Sequence, residues 1–251
     1  MNSLTEIQAQ LSVKMNIRKI IIGIVLVVVG IMTFGFFTRG GLGPPPPGFP
    51  GGVNESTKDE EKFITANPLD LSEISSLSKF RSCMGHDYSG KNTSGETETN
   101  RSMKHYITLK EGIEKAKAFA PFDGEVSSIE QPERGYQVWL KPDANSNFAF
   151  IFFHLEPQVK KGDKVKAGEQ IGYGLIVGEG GNFDMTIKGF EGFGGPKIFD
   201  SPFYHMTDEV LSEYQQKGIT LENIIISKDN RDKNPCTFGQ GSGQNEQVSL
   251  K

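Results

Sequence analysis

The side chains able to do chemistry in this 251-residue sequence are few and scattered. There are four histidines, His86, His105, His154 and His205, and two cysteines, Cys83 and Cys236. Metal-assisted hydrolysis needs three protein ligands, an open position for water and a group to move its proton. No two histidines stand at His-x-His or His-x-x-x-His spacing, so the sequence offers no ready imidazole pair. The cysteines are too few for a disulfide scaffold and lack zinc-finger spacing; outside a membrane they can pair, and otherwise they remain free thiols. His86 and Asp87, beside Tyr88 and Ser89, can fix a loop through side-chain to backbone bonds. His154 ends a strand-like run, the usual place of a hydrogen-bonded structural histidine, and His105 reads as a rim or pairing residue of a strand. The lysines at 160, 161, 164 and 166 form a basic turn, solvated in the ordinary case; neither Asp163-Lys164-Val165 nor Ile187-Lys188-Gly189 has the context of a lipoyl-carrying hairpin tip.

The elements that must position these groups are mostly short strands. Runs at 104–109, 123–130, 135–141, 147–154, 169–173 and 182–188 are bounded by Gly, Pro and Asp turns, which argues for a mainly β, sandwich-like core. Leu71, Ile74 and Leu77 recur at helical spacing and predict a short amphipathic helix over 70–77. A surface helix is expected over 207–217, capped by Thr207 and stopped by Gly218. Residues 223–227 suit a strand or a buried arm. The polar stretch 90–100 reads as a flexible insertion, and the Gly/Gln/Asn-rich tail 237–251 as disordered.

The amino-terminal part has a different character. Residues 1–19 are polar and end in cations, and 20–37 is an uncharged apolar run that would make a helix about 27 Å long, enough to span a bilayer. It exceeds a signal-peptide h-region and lacks a small-residue cleavage site. Lys14, Arg18 and Lys19 outweigh Arg39, which places the first 19 residues in the cytoplasm and the bulk outside, in a single pass of the cell membrane. Residues 38–53, with Pro44 to Pro47, form a semi-rigid spacer to a domain over 54–236. The whole chain carries 27 cations against 31 anions, and removing the cationic flank leaves the remainder more acidic still, which argues against nucleic-acid binding. Asn54, Asn92 and Asn100 open glycosylation-type triplets that suit exposed loops.

Three stretches carry a resemblance. Ala120-Pro-Phe-Asp-Gly-Glu-Val126, the aromatic-x-His-Leu run at Phe152-Phe153-His154-Leu155, and the spacing Val159, Gly162, Val165, Gly168, Ile171-Gly172 together resemble the lysostaphin/LytM-type zinc metallopeptidase family. The resemblance covers roughly residues 80–190 and implies a duplicated hybrid motif, a β-sandwich with short peripheral helices. In that family zinc is held by a His-x-x-x-Asp motif and the second His of His-x-His, assisted by the His of aromatic-x-His-Leu. Aligning Phe80-Arg-Ser-Cys-Met-Gly-His-Asp-Tyr-Ser89 on the first motif leaves Asp87 as the carboxylate and puts Cys83 where the histidine belongs. Aligning Gly181-Asn-Phe-Asp-Met-Thr-Ile187 on the last puts Asn182 and Asp184 in place of both histidines, on one strand face. Of the family's histidines, His154 alone has its counterpart here.

The resemblance therefore implies two functions. The first is a membrane-anchored, non-catalytic metallopeptidase-like domain at the cell surface, with no cofactor, that binds an envelope polymer or a membrane or surface protein. Its binding residues would be His86, Tyr88 and Asn182, and Cys83 and Cys236 would form a structural disulfide. The second is an active zinc endopeptidase cutting envelope peptide cross-links, with Cys83, Asp87 and Asp184 as metal ligands, His86 contributing, and His154 assisting the bound water. Thiolate and carboxylate sets without imidazole are uncommon for catalytic zinc, which favours the first.

Overall fold

The structure, a computed structural model, describes residues 61–132, 135–145, 147–175, 183–190, 197–239 and 242–251. The expected membrane span 20–37, the flanks 1–19 and 38–53, and Asn54 and Asn182 lie outside the described residues. Among the described residues no helix is long and apolar enough to cross a membrane.

Among the described residues thirteen strands follow one another: β1 (Ile74–Ser78), β2 (Gly90–Lys91), β3 (Thr97–Glu98), β4 (His105–Leu109), β5 (Lys115–Phe119), β6 (Gly124–Glu130), β7 (Tyr136–Pro142), β8 (Phe148–Pro157), β9 (Lys164–Val165), β10 (Gln170–Leu175), β11 (Asp184–Phe190), β12 (Lys197–Asp200) and β13 (Gln247–Ser249). A 3-10 turn, Pro202–His205, and three short helices, α1 (Asp208–Gln216), α2 (Leu221–Ile224) and α3 (Lys228–Lys233), stand between β12 and β13. The strands run β13-β1-β4-β11-β8-β7-β6-β9 across the sheet, and β10 joins the end of β8 to β5. β8 is the centre. Its apolar run, Phe148 to Phe153, is buried from Ala149 onward on both faces, which is what a strand flanked on both edges and covered on both sides requires. The mainly β architecture with short peripheral helices is the one expected from the sequence.

Four local expectations need correction. The spacing of Ile74 and Leu77 is not helical: 74–78 is a strand, with a bulge between Ile74 and Ser76 where it pairs with β4. The extra residue brings two side chains three apart to the same apolar face, so a bulged strand imitates a helix. The tail is not without structure, since residues 247–249 pair antiparallel with β1, Val248 opposite Leu77. Residues 221–224 form a helical turn closed by a capping box between Thr220 and Asn223, and Ile225 beyond it bridges Phe80. The stretch 90–100 is not a loose insertion but contains the hairpin β2–β3.

Buried charge holds that hairpin down. Glu98 is fully buried and takes a forked contact from Arg81, with Nε at 2.8 Å and Nη2 at 2.9 Å, and a third hydrogen bond from Arg101 Nη1 at 2.9 Å. Arg81 Nη1 also donates to the Ile226 carbonyl at 3.0 Å, and Arg101 Nη2 pairs with Asp232, so one carboxylate ties the hairpin to the segment around α3. Asn92 is likewise engaged: its side chain donates to Glu96 and accepts from the Ser94 and Glu96 amides, and it is buried, which removes it as a glycan acceptor. Asn100 is exposed at φ 54°, while Arg101 and Ser102, which complete its triplet, are buried. Glu98→Ala leaves two guanidiniums buried without their shared anion and should destabilise the chain by about 3–5 kcal/mol in urea unfolding. A loss below about 1 kcal/mol would show the network to be dispensable.

Of the two expected places for His105, rim or strand pairing, it takes the second: it opens β4 opposite Met185. It is fully buried, with Nδ1 2.8 Å from the Ser78 carbonyl and Nε2 2.8 Å from Ser201 Oγ. A carbonyl can only accept, so Nδ1 carries the proton and Nε2 accepts from the serine hydroxyl. Burial pushes this imidazole down to about 4, opposed by the Ser78 carbonyl. The unfolded chain takes up the proton near pH 6.5 and the folded chain does not, so stability falls as pH drops from about 6.5 to about 4. The loss should reach about 3 kcal/mol and then level off. Stability measured against pH for the native chain and for His105→Gln should show this slope in the first and not in the second.

Candidate functional site

The site residues collect where β8 changes partner. On one edge β8 pairs with β11 as far as Phe153, opposite Asp184, and from Leu155 onward with β10. Between the two stands His154, at φ 58°. On the other edge the register with β7 shifts between Tyr136 and Val138, so the chain carries one residue more here than its partner. This is a bulge with its extra residue in the left-handed region, a conformation that costs a non-glycine residue roughly 1–3 kcal/mol and tends to occur at functional positions. Gly135 makes room for it: a Cβ at that position would meet the His154 backbone at 3.3 Å, and its own φ is 109°.

Asp184 begins β11 and sits in register with both Phe153 of β8 and Tyr106 of β4. It is buried. Its Oδ2 lies 3.7 Å from His154 Nε2, and its Oδ1 lies 3.3 Å from Lys104 Nζ, also buried. The Lys104 ammonium stands 3.5 Å from the centre of the Phe153 ring and 4.4 Å from that of Tyr88. Burial pushes Asp184 up and Lys104 down, and each is the other's main opposing charge; His154 and then His86 also act to hold the Asp184 carboxyl down. Burial, and then the Asp184 charge, raise the phenols of Tyr88 and Tyr106.

The loop 81–89 is buried at its start and exposed at residues 85–87. Gly85 lies against Tyr106 so closely that a Cβ would come within 2.3 Å of the ring, and it has φ 71°, so glycine is required there. His86 and Asp87 are exposed. His86 Nδ1 is 3.0 Å from the Asp87 carbonyl, and the Asp87 carboxylate accepts from Ser89 Oγ. Tyr88 is half-buried and packs edge-on to His86 at 6.1 Å and to Phe153 at 5.9 Å. His205, by contrast, is buried far along the chain with Asp200 and the Glu61 carbonyl, as part of the framework.

The proposed ligand set Cys83, Asp87 and Asp184 does not survive this geometry. Cys83 is bonded to Cys236, so it has no thiolate to offer. Its Sγ accepts from Arg231 Nη1 at 2.9 Å and its amide donates to Glu246 at 2.6 Å, so it is tied to the segment 231–246 and not to Asp184 or His154. Asp184, the buried carboxylate of that set, already faces an ammonium. Among the described residues no three His, Cys, Asp or Glu side chains come together as a ligand group. The donor set does not fit a zinc ion. Lys104 had no signal in the sequence beyond lying at the start of a strand; His154 and Asp184 are brought together, and His86 and Tyr88 border them.

No family profile matches the sequence, and no curated protein does. Solved structures similar to it include a zinc-containing peptidase from Vibrio cholerae (21% identity, 51% of this chain and 36% of that one, TM-score 0.35). They also include a LytM protein of Ruminococcus gnavus titled as a glycyl-glycine endopeptidase (22%, 40% and 44%, TM-score 0.34). A third is a pore-forming complex of SpoIIQ and SpoIIIAH (20%, 64% and 100%, TM-score 0.40). The chain spans less than half the length of either peptidase. These neighbours are of the lysostaphin/LytM type that the sequence resembles.

The bulge makes a direct prediction about position 154. Asparagine tolerates the left-handed region and a β-branched residue does not, so His154→Val should be about 1–3 kcal/mol less stable than His154→Asn. Equal unfolding midpoints for the two would mean that the backbone conformation there imposes no cost.

Proposed function

We propose that this chain is a membrane-anchored, extracytoplasmic, metallopeptidase-like domain that binds an envelope component, wall polymer or surface protein, without cleaving it. The observation that carries the reading is the ion pair of Asp184 with Lys104 at 3.3 Å, both buried. A hydrolytic metal centre needs its carboxylate and imidazole groups free to hold the metal and leave a position for water. Here the carboxylate is already neutralised, and the cysteine of the first motif is held in a disulfide. What this face offers a ligand is His86, Asp87 and the accessible parts of Tyr88 and His154: two imidazoles, a carboxylate and a phenol suited to polar contacts with a sugar or peptide. The apolar run 20–37 supplies the anchor in this reading.

The test is incubation of the full-length chain with purified peptidoglycan, with and without added zinc, following released fragments by chromatography and bound protein by co-sedimentation. Retention without release, weakened by Tyr88→Ala, is the expected result. Release of peptide fragments that disappears in Asp184→Asn would establish the zinc endopeptidase instead.

A further inference from the structure

We infer that the buried cluster around Asp184 is an ammonium site, filled in cis by Lys104, and that its chemistry selects an organic cation over a divalent metal. The inference deepens the non-catalytic reading and rests on it only in taking that cluster as free of metal.

The lining of the site argues for this. Lys104 Nζ meets one carboxylate oxygen, Asp184 Oδ1 at 3.3 Å, and two ring faces, Phe153 at 3.5 Å and Tyr88 at 4.4 Å. One anion plus aromatic faces is the environment that holds alkylammonium groups, because the ring quadrupole attracts a cation that needs few directed bonds. A divalent ion needs three or more oxygen, nitrogen or sulfur donors at about 2 Å, and ring faces supply none. The ammonium is also placed by the backbone. Lys104 immediately precedes β4, and β4 sets Tyr106 in register with Asp184, so the same strand pairing that positions the anion positions the cation. Neither side chain is more than a few per cent exposed, so removing either strands the other's charge away from water.

Chemical rescue tests the proposal. In the full-length chain, Lys104→Ala should lower Tm by roughly 10 °C. Ethylammonium chloride should restore part of that loss as its concentration rises, while ethanol and sodium chloride at the same concentrations should not, and native Tm should not respond. Lys104→Met, which keeps the stem and fills the space, should be lowered and unresponsive, and Lys104→Met combined with Asp184→Asn should recover most of the loss. If Lys104→Ala does not fold, the comparison of Lys104→Met with the double variant decides.

Lys104→Met at native Tm, or rescue by ethanol equal to that by ethylammonium, would overturn the ammonium site and leave the non-catalytic reading standing. Zinc retained at about one per native chain purified without chelator would overturn both. Retained zinc is read by elemental analysis, independently of any activity.

Discussion

The structure depends on one strand having to serve two partners in succession. β8 pairs with β11 through Phe153 and with β10 from Leu155, while β7 accompanies it along the other edge. A continuous strand cannot change partner on one edge without a local break in its pleat, and the break is the bulge at His154. Two consequences follow from that single break. The imidazole is turned out of the regular alternation, toward the start of β11, and Asp184, the first residue of β11, is placed between Phe153 and Tyr106 where water cannot reach it.

Around this frame, polar contacts hold what apolar packing leaves loose. The hairpin β2–β3 has too few residues to bury a face of its own, and Glu98 fastens it through Arg81 and Arg101. The strap after α3 is fastened by Cys83–Cys236, by Arg231 to Glu246 and by β13 on β1. With its cysteines 153 positions apart, the cross-link stabilises by roughly 5 kcal/mol in the chain-entropy account. Cys83 and Glu246 are also neighbours through the Cys83 amide, so the loop that carries His86 and Asp87 starts from a residue anchored to the far end of the chain.

The strands that bury apolar runs, from β6 to β8 and in β10 and β11, were legible from alternation and turns, because burial on the sheet and sequence pattern are the same fact there. Elements held by polar contacts were not. β13 is Gln-Val-Ser at an edge, with one apolar residue to announce it, and β2 and β3 are two residues each. β1 was misread because its bulge gave Ile74 and Leu77 a helical interval. At the site, His154 and Asp184 could be singled out by type and position. Lys104 could not, since a lysine at the start of a strand looks the same whether its head reaches solvent or a buried carboxylate, and only the register of β4 against β11 tells them apart.

A buried aspartate must be neutralised by a proton, a metal or an organic cation, and the surroundings decide among them. At Asp184 burial favours the protonated acid, and the same burial favours uncharged Lys104, so the two desolvation effects work against the ion pair. What opposes them is their proximity and the two ring faces on the ammonium, which stabilise the charged lysine without adding another anion that would itself need a partner. The arrangement puts a buried ion pair, Asp184 with Lys104, next to the exposed side chains of His86 and Asp87. The Tyr88 ring links the two levels, since it lies against both the Lys104 ammonium and the His86 imidazole.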